Sequence, residues 1–473
     1  MKRTLLGSLA LPLFALACGS SSPNPATTND GGVAGNDGGP EGGSATDAPV
    51  VVDCPAPTSG PTKHSGEVTE NEVWTAAGSP HIVEYDVNVR DGHKLTIEPC
   101  ARVQFAKEKG IRVAYPLTPN TGTLVAEGTA AHPIWFERQG ADAWSGIYIA
   151  APGTARLAHV ELSGGGGGMG DGATLEVIGN GELPADPSLF VDHVTIKGSA
   201  GTGLWVRGGA TFIAGSKDLT ISGSGSDDSP FPAEIDEHSM DAFPTGTYTG
   251  NKVDEILLRT TGIGVAGAGL TVDATLHERG VPYRMGKEPN QSFYLGGKDG
   301  APLATMTIEP GVIMRFVKGA SLNIEKFTGV FPAQAAIRAI GTAAKPIVFT
   351  SASPTPAPGD WMGLWFGGAL SAQNKLDHVR IEYAGGECSC ILATCNNITE
   401  SEGAVILTNQ APSAFITNTV FKASAQHAIT EGFEGTPVDF LPTNTFESIG
   451  GCRQTLPLFV RPLSCGNPAP SCN

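Results

Sequence analysis

Apolar and polar side chains alternate with a period of two in short runs along most of the chain. Ile134 and Phe136 flank Trp135, Ile147 and Ile149 flank Tyr148, Val160 and Leu162 flank Glu161, Val194 and Ile196 flank Thr195, and Leu204 and Val206 flank Trp205. Further on, Ile347 and Phe349 flank Val348, Leu364 and Phe366 flank Trp365, and Val379, Ile381 and Tyr383 alternate with Arg380 and Glu382. Successive side chains of a strand point to opposite faces, so each run predicts a short strand with one buried face. No dipeptide of the Asn-Gly kind joins neighbouring runs, which disfavours two-residue hairpins. Helical spacing is absent too, which excludes the helix-linked route to a parallel sheet. A coil in which each strand pairs with the one a full turn later satisfies both conditions, and that is a parallel β-helix.

The pattern is written twice. Thr96-Ile97-Glu98-Pro99, Phe105, Gly128-Thr129-Ala130-Ala131, Pro133-Ile134, Phe136 and Trp144 recur as Thr307-Ile308-Glu309-Pro310, Phe316, Gly341-Thr342-Ala343-Ala344, Pro346-Ile347, Phe349 and Trp361. The offset is about 211 residues at the start of the match and about 217 at its end. Stacked units bury their apolar sides only against their neighbours, so such an array repeats in sequence. These segments resemble the right-handed β-helix segments of bacterial surface and secreted proteins that share a pectate-lyase-like fold. Their rung reads roughly L-T-I-x-P-G, then G-T-x-x-x-P-I-x-F-T-S, then W-x-G-I. The resemblance covers most of residues 70–450. It implies an all-β, right-handed parallel β-helix (a solenoid) built from two tandem homologous halves, and it implies no particular activity, because the same rung serves enzymes, adhesins and phage spikes. Cys100 stands where the second copy has Gly311. At about 20 to 25 residues per rung, some 16 to 20 rungs are expected.

The N-terminus changes the picture from fold to address. Met1-Lys2-Arg3 and the apolar run over residues 5–16 form a secretion signal, too short to span a bilayer as a mature helix. The run ends at Ala15-Leu16-Ala17-Cys18, which resembles the lipobox of bacterial lipoproteins, where cleavage before the cysteine leaves its thiol to be acylated. The segment that follows is Gly, Ser, Asn, Asp, Ala and Pro with almost no large apolar group, and cannot offset its chain entropy by burial. The expected organisation is a signal peptide over 1–17, lipidated Cys18 and a disordered tether over 18–52, β-helix halves over 53–259 and 260–449, and a Cys-rich cap over 450–473. Interruptions at 230–249 and 260–269 mark the seam between the halves. By resemblance to Gram-negative lipoproteins, Gly19 and Ser20 point to the outer membrane or cell surface, with the membrane as a partner through the N-terminal lipid.

Cysteine usage agrees with export. Besides Cys18 there are eight: Cys54, Cys100, Cys388, Cys390, Cys395, Cys452, Cys465 and Cys472, an even number that suggests disulfides in an exported chain. On the order of a hundred connectivities are possible, and Cys54 with Cys100 is the favoured pair because both precede the first repeat core. Cys388, Cys390 and Cys395 lack a second CxxC and neighbouring histidines, so staples are expected there rather than a metal knot. A formal charge of −17 opposes electrostatic binding of nucleic acid or anionic lipid.

Recurrence sorts the candidate chemistry. His159, His193 and His378 each precede an inward valine, and Trp144 pairs with Trp361 and Glu98 with Glu309; groups repeated at the same rung position serve the coil, since a reaction needs one site. Residues without a counterpart are Asp227, Asp228, Glu234, Asp236, Glu237, His238 and Asp241, a run suited to a hard cation or to a solvated acidic loop. Gly262-Ile263-Gly264-Val265-Ala266-Gly267 has a dinucleotide-like spacing but no helical pattern after it. Tyr148, Trp205 and Trp365 are expected to point outward and align as a platform for sugar rings, whose C–H faces and polar rims match aromatic side chains with polar tips. The Lys and Arg residues, 30 in all, form no sequence cluster beside paired acids of the kind a polysaccharide lyase uses. No catalytic residue, metal site or cofactor is therefore assigned. The expected function is an exported, lipid-anchored surface protein with a structural, adhesive or glycan-contacting role and no catalysis. Its rival is a polysaccharide lyase or glycoside hydrolase working in a groove, which two carboxylates about 5 to 10 Å apart, or acids clustered beside an Arg or Lys, would favour.

Overall fold

One turn of the chain shows how the alternation closes into a coil. Strands Lys94–Ile97, Arg102–Phe105 and Ile111–Val113 are separated by tight corners, and each pairs in parallel with a strand one turn later: Thr123–Glu127, Ile134–Arg138 and Ile147–Ala150. Left-handed backbone at Cys100, Glu108 and Ala114 turns the chain at these corners. The same conformation recurs at His159, His193 and His378, with φ of 48°, 51° and 51°, each a corner residue directly before an inward valine.

The computed structural model describes residues 51–115, 120–168, 172–181, 187–259, 269–296, 302–324, 334–386, 402–458 and 470–473. The expected signal peptide, Cys18 and nearly all of the tether lie outside these residues, as do Gly262 to Gly267 and Cys388, Cys390, Cys395 and Cys465. The described residues contain 34 strands and a single three-residue 3-10 turn, Ala76–Gly78. This is an all-β parallel β-helix, and residues 50–473 form one compact unit.

The interior is a set of stacked apolar files. In one of them Val89, Val113, Ile149, Val177, Val206, Ile235, Leu258, Met285 and Phe316 occupy the same position on nine consecutive turns, all buried. Burying each such side chain contributes about 1.5 to 3 kcal/mol. The ladder that carries this file runs from Thr62–Val68 to Thr445–Glu447 and contains fourteen strands among the described residues, about 60 Å along the coil axis at the usual strand spacing. That is fewer rungs than the expected 16 to 20, because several turns carry long loops; the turn joining the ladder partners Phe366 and Leu407 takes about 40 residues.

Among the described residues, only this ladder crosses the middle of the chain. The ladder through Lys94–Ile97 ends at Thr211–Phe212, and the one through Arg102–Phe105 ends at Gly246–Thr247. Met240, Phe243 and Tyr248 are buried beneath these ends; Phe243 meets Phe212 edge-on at 6.0 Å and lies 5.1 Å from Tyr248. New ladders then start at Ala274–Leu276 and Phe293–Leu295. The sequence repeat consequently changes phase. Phe316, the counterpart of Phe105, sits on the ladder that in the first copy carried Ile147–Ala150. Within the expected interruption at 230–249 one ladder ends, at Gly246–Thr247, while Ala233–Asp236 carries the other through.

Each end of the described coil carries a disulfide. At the first turn Trp74, 1% exposed, packs against His64 at a ring distance of 3.9 Å and His81 at 5.4 Å, and the two imidazoles touch each other. Cys54 is joined to Cys100. At the last turn Cys452 is joined to Cys472, and an antiparallel bridge between Thr455 and Cys472 reverses the chain where a further parallel strand would otherwise add.

Candidate functional site

The central residue of each strand in the continuous ladder faces away from the core, and the register stacks these into one outward file: Arg112, Tyr148, Glu176, Trp205, Glu234, Leu257, Arg284, Arg315 and Thr350. Next to it runs a second short file, Arg207, Asp236 and Arg259. Where the two files meet, charged side chains gather around an aromatic ring.

Trp205 is half-buried, with the Arg207 guanidinium 4.4 Å and the Arg259 guanidinium 5.1 Å from its ring centroid. Those same arginines hold the flanking acids. Arg207 Nη2 donates to Glu176 Oε1 at 2.6 Å, and Arg259 Nη2 lies 2.5 Å from Glu234 Oε2, while Thr202 Oγ1 donates to Glu234 Oε1 at 3.1 Å. Both glutamates are only 2% exposed. A charge so deeply placed is tolerated because its partner is planar, always protonated and itself stacked on an aromatic ring.

Below this layer, Asp236 accepts from Gly209 N at 2.8 Å, His238 N at 3.1 Å and Ser239 Oγ at 3.2 Å. Burial, reinforced by repulsion from Glu237, pushes its carboxyl up to about 6 in spite of those hydrogen bonds. Burial also holds His238 below the ordinary histidine range. Its Nδ1 lies 3.7 Å from Glu237 Oε1, and neither ring nitrogen has a hydrogen-bond partner. The acidic run therefore divides, with Asp227, Asp228 and Asp241 exposed and the rest covered. Glu234, Asp236 and Glu237 are buried, Asp227 pairs with Lys252 at the surface, and Asp241 Oδ1 takes Thr275 N at 2.7 Å.

One turn beyond Glu234 and Asp236, Glu255, 4% exposed, is clamped by two arginines of the same outward file. Arg284 Nη1 donates to Oε2 at 3.3 Å and Arg315 Nη1 to Oε1. Local sequence gives no hint of this grouping, because residues separated by 29 and 60 positions meet only through stacking.

The aromatics singled out by sequence divide. Tyr148 and Trp205 lie on the outward file, part-exposed and two rungs apart, with Glu176 between them. Trp365 points away from the main core, as alternation requires, yet is only 5% exposed because it packs against Met362 and Ile406; it belongs to a different ladder and does not join the other two. The expected alignment of all three aromatics is therefore not found: Trp365 stands apart from Tyr148 and Trp205. Of the corner histidines, His159 and His193 stack at 4.7 Å. His193 Nδ1 lies 2.6 Å from Asp192 Oδ1 and 3.7 Å from Asp218 Oδ2; Lys217 Nζ sits 3.8 Å from both carboxylates and already balances their charge.

Chemically, the Tyr148–Trp205 region offers a rigid surface: part-exposed aromatic rings edged by guanidinium groups whose directions are set by buried acids. Such a surface suits a ligand with alternating C–H and hydroxyl patches. The acids beneath already have hydrogen-bonding or ionic partners. Residues 298–387 match the family model described as pectate-lyase-like β-helix domain. No curated protein and no solved structure matches the chain.

Proposed function

We propose that this parallel β-helix is an exported, lipid-anchored surface protein that contacts glycan through the Tyr148–Trp205 stretch of its continuous ladder, without catalysis. The observation that carries the reading is the indole of Trp205, part-exposed, with two guanidinium groups within 5.1 Å of its ring centroid, in file with Tyr148 about 10 Å away. Preorganised aromatic and arginine side chains lose little entropy on binding, which is what a shallow surface needs to hold a flexible sugar chain. Support for export and anchoring comes from the N-terminal sequence, Met1-Lys2-Arg3 through Cys18.

A second reading, a polysaccharide lyase or glycoside hydrolase, is favoured by the gathering of Glu176, Glu234 and Asp236 beside Arg207 and Arg259. It ranks lower because each of those carboxylates is almost wholly buried and held by a fixed partner. One experiment separates the two. The mature protein and its Trp205→Ala and Tyr148→Ala variants are screened on a glycan array, and every ligand found is incubated with the protein and assayed for chain cleavage. Binding that Trp205→Ala abolishes, with no cleavage, is the expected result. Cleavage lost in Glu234→Gln would establish the enzyme, and an array on which nothing binds would end the glycan reading.

A further inference from the structure

Three successive turns build a cavity of about 260 Å³ at one corner of the coil. Lys287 and Pro289 follow the strand Tyr283–Met285, Val317 and Lys318 follow Ile313–Phe316, and Ala352, Ser353 and Pro354 follow Ile347–Ser351. Arg284 reaches in from the outward file, so three cations line the space against one carboxylate, that of Asp360. This in a chain of net charge −17 is a local reversal of sign.

The carboxylate is committed to its own loop: Asp360 Oδ2 accepts from Ser351 Oγ at 2.6 Å and from Ala357 N at 3.0 Å. Lys287 and Lys318 have no ion-pair partner among the described residues. Arg284 is anchored by Glu255 and by Ala352 O at 3.3 Å, while its Nε is buried without a hydrogen-bond partner. Lys287 and Lys318 thus bring uncompensated charge to the cavity, Arg284 shares the one Glu255 carboxylate with Arg315, and Val317, Ala352, Pro289 and Pro354 supply apolar walls. Like charges gathered in this way repel one another unless an anion joins them.

We infer that this cavity is a binding site for an oxyanion group, sulfate, phosphate or carboxylate, held by Arg284, Lys287 and Lys318. Charge-assisted hydrogen bonds from two ammonium groups and one guanidinium match a tetrahedral or planar oxyanion, and the apolar walls fit the uncharged body that carries it. The site stands about three rungs, roughly 14 Å, from Trp205 and does not depend on the glycan reading.

The test follows the melting temperature of the full chain as sodium phosphate, sodium sulfate or sodium glucuronate is raised, against sodium chloride of equal ionic strength and against glucose. A ligand that binds only the folded state raises that temperature in a saturable way. Saturation is expected with at least one of the three oxyanions, and the one effective at lowest concentration identifies the chemistry. In Lys287→Ala/Lys318→Ala, which alters surface side chains, half-saturation should need about tenfold more ligand or more. No rise beyond the chloride control with any oxyanion, or an unchanged response in the double variant, would overturn the site. Trp205→Ala should keep the response; its loss in that variant, still folded, would place the anion elsewhere.

Discussion

The indole of Trp144 stacks on Phe105 with ring centroids 4.3 Å apart, and its Nε1 donates to Ser163 O at 2.8 Å. Trp361 repeats the arrangement on Phe316 at 4.2 Å, with Nε1 donating to Glu382 O at 2.8 Å. One long-range motif is therefore built twice by the same sequence pattern.

Each indole is fully buried, so Trp144→Ala should cost about 3 to 5 kcal/mol, and Trp361→Ala a similar amount. Trp144→Phe should cost less but more than zero, since it keeps the stack and strands the Ser163 carbonyl. Urea unfolding of the three variants checks this. Equal losses for Phe and Ala would mean that the hydrogen bond, rather than the ring, dominates.

At the first turn His64 lies 2.9 Å from His81 Nδ1, and burial followed by repulsion from His81 lowers its pKa to about 4. A histidine depressed on folding takes up its proton more readily when unfolded. Stability from this group is complete above about pH 6.5 and is lost as pH falls from there to about 4. Thermal melts over this window should fall faster in the native protein than in His64→Phe, which keeps a ring on Trp74 and removes the titration. Parallel profiles would refute the assignment.

Asp236 has the opposite sign. Its carboxyl is raised from the ordinary aspartate range to about 6 by burial and by Glu237, so protonation favours the folded state. Its contribution is greatest below about pH 4 and is lost as pH rises through 6. Relative to Asp236→Asn, the native protein should gain stability on acidification from pH 6 to 4, counter to the His64 trend. A difference between the two proteins that does not change with pH would remove Asp236 as the titrating group.

The single Glu255 carboxylate bridges two arginines from consecutive turns. Glu255→Gln should destabilise by roughly 2 kcal/mol, less than a fully buried pair would, because both guanidinium groups are partly exposed. The loss should grow smaller as salt is added, since chloride screens the arginine repulsion that remains. Denaturant midpoints at low and high salt decide it, and a salt-independent loss would point to packing instead.

Much of the coil is legible in the chain alone. Period-two alternation is a property of neighbouring residues, so Ile134, Phe136, Val194 and Val206 declare their inward faces without any partner in view. Recurrence likewise marks His159, His193 and His378 as corner residues before their left-handed backbone is seen. Position in the chain favours the pairing of Cys54 with Cys100, and the two are joined.

Other features depend on which turn stacks on which, and the sequence carries no local record of that. Alternation puts Trp365 outside the core but cannot say that Met362 and Ile406 cover it. The repeat announces equivalent strands, yet only the register reveals that the second copy is rotated by one face, with a single ladder continuous through the middle. Glu255, Arg284 and Arg315, or Glu176, Trp205, Arg207 and Arg259, are unremarkable where they stand in the chain. Parallel stacking sets residues tens of positions apart within a strand spacing of each other, and it is this spacing that turns isolated charges into a site.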